Sequence, residues 1–106
     1  MNKETFYYSK EILRQIDFAD ANARNCWGVI VGHTCFALPE SKERRAGIKM
    51  ICNGFKHKGR VDIDLTWADD YTIKFYTKDE KKIKKTLQRV YATELCRTCL
   101  LYTSDA

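Results

Sequence analysis

Asp62 and Asp64 stand two residues apart, followed by Asp69 and Asp70, in a chain of 106 residues. On a β-strand such a pair shares one face, and paired carboxylates could hold a magnesium ion or divide acid and base roles. Nothing else in the sequence supports that chemistry. Lys49 and Lys74 fall on the expected flanking strands, so cross-strand ion pairing is the expected role of the aspartates. Five cysteines, at 26, 35, 52, 96 and 99, raise thiol chemistry, and Cys96-Arg97-Thr98-Cys99 has redox or half-zinc-site spacing. The opening Met-Asn-Lys-Glu-Thr has no apolar signal segment, so reduced, buried thiols are expected. His33 reads as a turn residue and His57 as a solvated loop residue, neither with a ligand at coordinating spacing. No phosphate-cradling glycine loop or nucleophile elbow is present. The sequence therefore suggests no catalytic residue, metal or cofactor.

What remains is charge. The formal net charge is +5, unevenly spread. Residues 42 to 60 hold Lys42, Arg44, Arg45, Lys49, Lys56, Lys58 and Arg60 against Glu43, a local +6, whereas residues 61 to 77 hold four aspartates against Lys74, a local −3. A second basic group is Lys78, Lys81, Lys82, Lys85 and Arg89. Lysines and arginines gathered in this way can neutralise phosphates, each such pairing releasing counterions. Phe55, Tyr71 and Tyr76 are aromatics that could stack on bases, although Tyr71 and Phe55 suit the core better.

These residues need elements to hold them. Tyr8, Ile12, Leu13 and Ile16 recur at helical spacing with charges between them, which predicts an amphipathic helix over 3–17. Residues 20–25 read as a connector. Trp27, Val29 and Val31 alternate with Gly28, Ile30 and Gly32, which predicts a strand over 26–32 turning at Gly32-His33 into a second strand with Phe36 and Leu38. Pro39 and the charges through Arg45 mark the longest loop. Ile48, Met50 and Cys52, then Val61, Ile63 and Leu65 with Trp67 as an optional extension, then Tyr71, Ile73 and Phe75 predict three strands joined by short turns, hence an antiparallel meander. Their other faces carry Lys49, Asn53, Asp62, Asp64, Thr66, Thr72 and Lys74, a set suited to solvent.

Thr77-Lys78-Asp79-Glu80 has the form of a capping box, and Ile83, Leu87, Val90, Tyr91 and Leu95 fall on one side at about 100° per residue. A final helix over 77–95 is therefore expected, with the second basic group as its outward stripe. The fold class is α+β: two helices on one face of a four- or five-stranded antiparallel sheet, in a single domain over 1–98. The expected core comprises Phe6, Ile12, Leu13, Ile16, Trp27, Val29, Phe36, Ile48, Met50, Val61, Ile63, Leu65, Ile73, Phe75, Leu87 and Val90.

Two resemblances bear on origin. Trp27-Gly28, the run from Asn53 through Gly54-Phe55-Lys56-His57-Lys58-Gly59 to Val61, the run from Asp70 to Phe75, and Val90-Tyr91 with Leu95 together resemble small uncharacterised proteins of bacteriophages and mobile elements in gut bacteria. The resemblance covers roughly residues 27–95 and implies strands followed by a short C-terminal helix. It brings no catalytic residues. Residues 99–106, Cys-Leu-Leu-Tyr-Thr-Ser-Asp-Ala, resemble a translated transposon-end sequencing adapter, which implies a natural chain ending at or near Thr98 and a non-native tail beyond it.

The expected function is that of a non-enzymatic accessory binding protein, cytoplasmic, with an acidic partner that is either nucleic acid or a host protein. No membrane or small-molecule partner is expected. The expected binding residues are Lys42, Arg44, Arg45, Lys56, Lys58, Arg60, Lys78, Lys81, Lys82, Lys85 and Arg89. The alternative is a module that inhibits or modulates a host factor through a sheet edge, with the strand at 26–32 as that edge.

Overall fold

A computed structural model describes residues 2–53 and 57–103, with the side chains of Asn25, Cys26, Leu100, Leu101 and Thr103 excepted. The first element is helix α1, Lys3–Ala19. Asn2 starts it, its side-chain oxygen accepting the Thr5 N–H at 2.7 Å. Thr5, Ser9, Ile12 and Ile16 form its buried stripe, and the Ser9 hydroxyl lies 2.8 Å from the Gly47 carbonyl it serves across the interface.

The sheet has five strands in the order β1 (Cys35–Leu38), β2 (Ala46–Asn53), β3 (Lys58–Leu65), β4 (Tyr71–Tyr76) and β5 (Ile83–Val90), each antiparallel to the next. Val61, Ile63, Leu65, Tyr71, Ile73 and Phe75 point inward with Ile48, Met50 and Cys52, under α1 and the C-terminal helix α3, Leu95–Thr103. The α+β meander with helices on one face is the architecture expected from the patterning. Tyr71 hydroxyl donates to Gln15 at 2.7 Å, tying β4 to α1. Phe75 and Tyr102 rings sit 5.8 Å apart and tie β4 to α3.

Two stretches differ from the sequence expectation. Residues 23–27 form a short helix α2 instead of a connector and strand. Ala23 and Trp27, four apart, are both fully buried, and Gly28 ends the helix at φ +68 while the Val29 N–H reaches back to the Arg24 carbonyl. That is a left-handed glycine stop of the Schellman kind. Arg24 is clamped to Asp17 of α1 by two hydrogen bonds. The edge strand expected at 26–32 is thus absent, and β1 and β5 are the sheet edges.

The larger difference is at 77–95, where β5 and a 3-10 turn at Ala92–Glu94 replace the single long helix. Thr77 and Glu80 do not cap a helix. The Thr77 N–H donates to the Lys82 carbonyl, its hydroxyl bonds Asp79, and Glu80 takes φ +62, which closes a turn. β5 pairs Lys85 with Phe75, Leu87 with Ile73 and Val90 with Tyr71, and two register shifts insert an extra residue each. Arg89, at φ +57, lies in one of them. These bulges stretch the alternation of strand residues into spacings of three and four, which is why the segment reads as helical. A helix here would also leave β4 with a strand partner on one side only. Of the expected stripe, Leu87 is half-buried and Val90 and Leu95 are buried, while Ile83 and Tyr91 are exposed.

Phe6 and Phe36, expected in the core, are exposed, Phe6 with the Lys10 ammonium over its ring. Trp67 lies in the β3–β4 turn, not in a strand, with its indole N–H donating to Ser41. Cys99 and Tyr102, which fall in the adapter-like segment, pack on the core through α3.

His57 also departs from its expected solvated role. It is buried, edge-on to Phe75, with Nε2 3.1 Å from the Arg60 carbonyl. Burial pulls its pKa below the ordinary 6.5, partly opposed by that carbonyl and aided by Lys84. The unfolded chain therefore binds the His57 proton more tightly, so its contribution to stability is intact above about pH 6.5 and is lost as pH falls below it. Denaturant midpoints should fall more steeply between about pH 7.5 and 5.5 in the wild type than in His57→Gln; parallel pH profiles would contradict this.

Candidate acidic-partner interface

The outer face of the sheet, away from the helices, is a layer of charge. Asp62 and Asp64 project from the central strand β3, and they are not solvated as expected: their residues are only 1% and 4% exposed. Arg60, two residues before Asp62 on the same strand, meets its carboxylate with two hydrogen bonds of 2.8 Å. The Tyr76 hydroxyl donates to Asp62 at 3.2 Å, and the Arg60 guanidinium stacks on the Tyr76 ring. Hydrogen bonding to Asp62 raises the Arg60 pKa further, while burial raises that of Tyr76. Both groups keep the protonation state the layer needs.

Asp64 is held by Arg44 at 3.1 Å and by Lys74 at 3.3 Å. Lys74 is therefore a cross-strand partner as expected. Lys49 is not: its ammonium lies 4.0 Å from Glu80, which also faces Arg60. Arg44 reaches Asp64 only because residue 47 is glycine. A Cβ there would stand 2.8 Å from both the Arg44 Cδ and the Ile63 carbonyl oxygen. A polar hollow of about 300 Å³ lies beside this pair, lined by Glu43, Asp64, Thr66, Thr72, Lys74, Thr86 and Gln88.

The eleven cations expected to bind an acidic partner divide accordingly. Arg44 and Arg60 serve the buried aspartates. Arg45 contacts Glu4 and Asp69, donates to the Tyr8 hydroxyl at 2.9 Å and stacks on the Tyr8 ring. These three arginines hold the protein together. Lys56 lies outside the described residues. Lys42 is exposed in the 39–45 loop, at the end of the sheet opposite the β4–β5 turn.

Lys58, Lys78, Lys81, Lys82, Lys85 and Arg89 are different. All are exposed, and among the described residues none has a carboxylate within ion-pair distance. Lys78, Lys81, Lys82, Lys85 and Arg89 are not the stripe of a helix, as expected, but belong to the β4–β5 hairpin, and Lys58, expected with the basic residues at 42–60, stands at the adjoining start of β3. Gly59 brings β3 alongside Lys78. Lys84, omitted from the expected set because the helical reading gave it no place on the stripe, joins them on β5. Lys85 has its ammonium over the Tyr102 ring, 4.7 Å from the centroid.

Three of the described thiols are poorly placed for chemistry. Cys35 and Cys52 are buried, and desolvation pushes their pKa values up to about 11 and about 12; that of Cys99 is raised for the same reason. A thiol held in its protonated form is a poor nucleophile and ligand. Among the described residues no group of three His, Cys, Asp or Glu side chains could hold a metal ion. No helix there is long and apolar enough to cross a membrane. Comparison with family models, with curated proteins and with solved structures finds no match to this chain.

Two substitutions separate the structural cations from the exposed ones. Asp62→Asn should destabilise by about 3 kcal/mol, near the low end for a broken buried pair because Arg60 keeps some solvent exposure. Lys82→Ala should stay within about 0.5 kcal/mol. Gly47→Ala should cost about 1–3 kcal/mol by overpacking, since the backbone carbonyl of Ile63 cannot withdraw without disturbing the β2–β3 ladder. Urea denaturation measures all three, and a neutral Asp62→Asn would refute the account of the outer layer.

Proposed function

We propose that the protein is a non-enzymatic accessory binding protein of a phage or mobile element, cytoplasmic in its host, that holds an acidic partner through the β4–β5 hairpin. Nucleic-acid phosphates are the partner this surface suits best. The observation that carries the reading is the division of the cations. Arginines that make the chain look most basic around 42–60 are engaged by Asp62, Asp64, Glu4 and Asp69. The hairpin from Thr77 to Val90 keeps six cations, Lys78, Lys81, Lys82, Lys84, Lys85 and Arg89, against Asp79 and Glu80. Glu80 already faces Arg60 and Lys49.

Mobile ammonium groups on a hairpin edge can follow a phosphate backbone without reading bases, and release of counterions supplies the affinity. The alternative, strand addition to a sheet edge, is less well served by β5. Its two bulges interrupt the ladder a new strand would copy, and its lysines are the usual protection of an edge against pairing. The membership of a phage or mobile-element family rests on the resemblance over residues 27–95 alone.

Titration of a labelled oligonucleotide with the full chain at several salt concentrations tests the reading. The double variant Lys81→Glu/Lys85→Glu should weaken binding and reduce the log–log salt slope by about 2, roughly 0.9 for each phosphate no longer neutralised. Lys3→Glu, on α1 at the far end of the sheet, should leave both unchanged. Wild-type affinity that does not vary with salt, or a double variant that binds as the wild type does, would reject the hairpin as a phosphate-binding surface.

A further inference from the structure

The back of α1 carries a pattern that neither the core nor the hairpin uses. Thr5, Ser9, Ile12 and Ile16 face the sheet. Tyr7, Glu11, Arg14 and Phe18 have the same spacings of four, three and four, displaced by two residues, which turns them through about 200° to the opposite side of the helix. Phe18 is 95% exposed and Tyr7 54% exposed. The Arg14 side chain is 70% exposed, and that of Glu11, with which it forms an ion pair, is 25% exposed. Two exposed aromatics thus bracket an exposed base and a half-buried acid along one seam of the helix.

This seam is symmetric about the midpoint between residues 12 and 13. Tyr7 and Phe18 are equidistant from that point, and so are Glu11 and Arg14. We infer that the seam is a docking surface for a second copy of this chain, with α1 packed antiparallel on α1 about a two-fold axis. Tyr7 of each copy then meets Phe18 of the other, and Glu11 of each meets Arg14 of the other. An isologous interface demands a patch complementary to itself, and this one carries both charge signs at mirrored positions. The four-three spacing is that of a helix-pairing seam, and the antiparallel arrangement sets the two helix dipoles in opposition.

The relief of the surface agrees. A cleft of about 670 Å³ runs along the C-terminal half of the seam, lined by Glu11, Arg14, Gln15, Phe18, Ala19 and the Ala92–Thr93 turn. The two alanines leave open space beside Phe18, where Tyr7 of the second copy would insert. Self-association through the β5 edge is disfavoured, since β5 against β5 would oppose lysine to lysine. This inference is independent of the phosphate-binding reading.

Charge exchange tests it. Sedimentation equilibrium of the full chain should give a mass that rises from 12.4 kDa towards twice that value with concentration. Glu11→Arg and Arg14→Glu should each remain monomeric, because each places like charges opposite one another twice. An equimolar mixture of the two variants should regain the dimer, since every facing pair is then opposite in sign. Phe18→Ser should also weaken association, and circular dichroism should show all three variants folded. A wild type that stays monomeric at every concentration, single variants with wild-type mass, or a mixture that fails to associate would overturn the inference. So would a small molecule that fills the cleft without changing a monomeric mass.

Discussion

Burying Asp62 and Asp64 on the outer face of the central strand is the constraint on which much of the rest depends. An ionised carboxylate removed from water costs several kcal/mol unless a cation and further hydrogen bonds replace the solvent. The chain meets that requirement from several elements at once: Arg60 from β3, Tyr76 and Lys74 from β4, and Arg44 from the loop before β2. Each partner is thereby fixed. Arg44 also donates to the Pro39 carbonyl, which holds the 39–45 loop against the sheet. Arg60 faces Glu80 and so connects the layer to the β4–β5 turn. A slip of one residue in β3 would send both carboxylates into the apolar core, so the same groups that need partners also specify the register.

The layer also bears on binding. Guanidinium groups suit buried pairs because their planar forks match carboxylates and they are less strongly hydrated than ammonium groups. Arg44 and Arg60 take such roles, whereas Arg45 pairs with the exposed Glu4 and Asp69. Lysines, whose heads stay in water on flexible stems, are left on the hairpin and its edge strand. A local charge of +6 over residues 42–60 is therefore a poor guide to where an anion would settle. Of the two basic surfaces expected from the sequence, the stretch 42–60 and the group after Thr77, the second keeps more cations without a carboxylate partner among the described residues.

Much of the fold was legible because its periodicities are strong. The helical spacing of Tyr8, Ile12, Leu13 and Ile16 in α1 and the alternation in β2, β3 and β4 each leave one apolar side to bury. Residues 23–31 misled because Trp27, Val29 and Val31 alternate as a strand would. Their helix depends on Ala23 and Trp27 being buried together and on a left-handed Gly28. At β5 the two bulges turned strand spacing into helix spacing. For the candidate surface, the identity of most cations could be read in advance, but Lys84 could not, because its inclusion requires knowing that the segment is a strand.

By itself, then, the sequence determined the fold class, the inward residues of three strands, Ile12 and Ile16 of one helix, and the supply of charges, since these follow from local periodicity and composition. Tertiary structure alone decided which carboxylates are buried, which cations they engage and that residues 83–90 complete a sheet instead of winding into a helix. The physical reason is the same in each case. An ion pair or a strand ladder gains its free energy from a partner distant in the chain, and no local pattern records whether that partner arrives. Here β4 required hydrogen bonds along its open side and Asp62 required cations above it, and those demands outweighed the local preferences of the residues that met them.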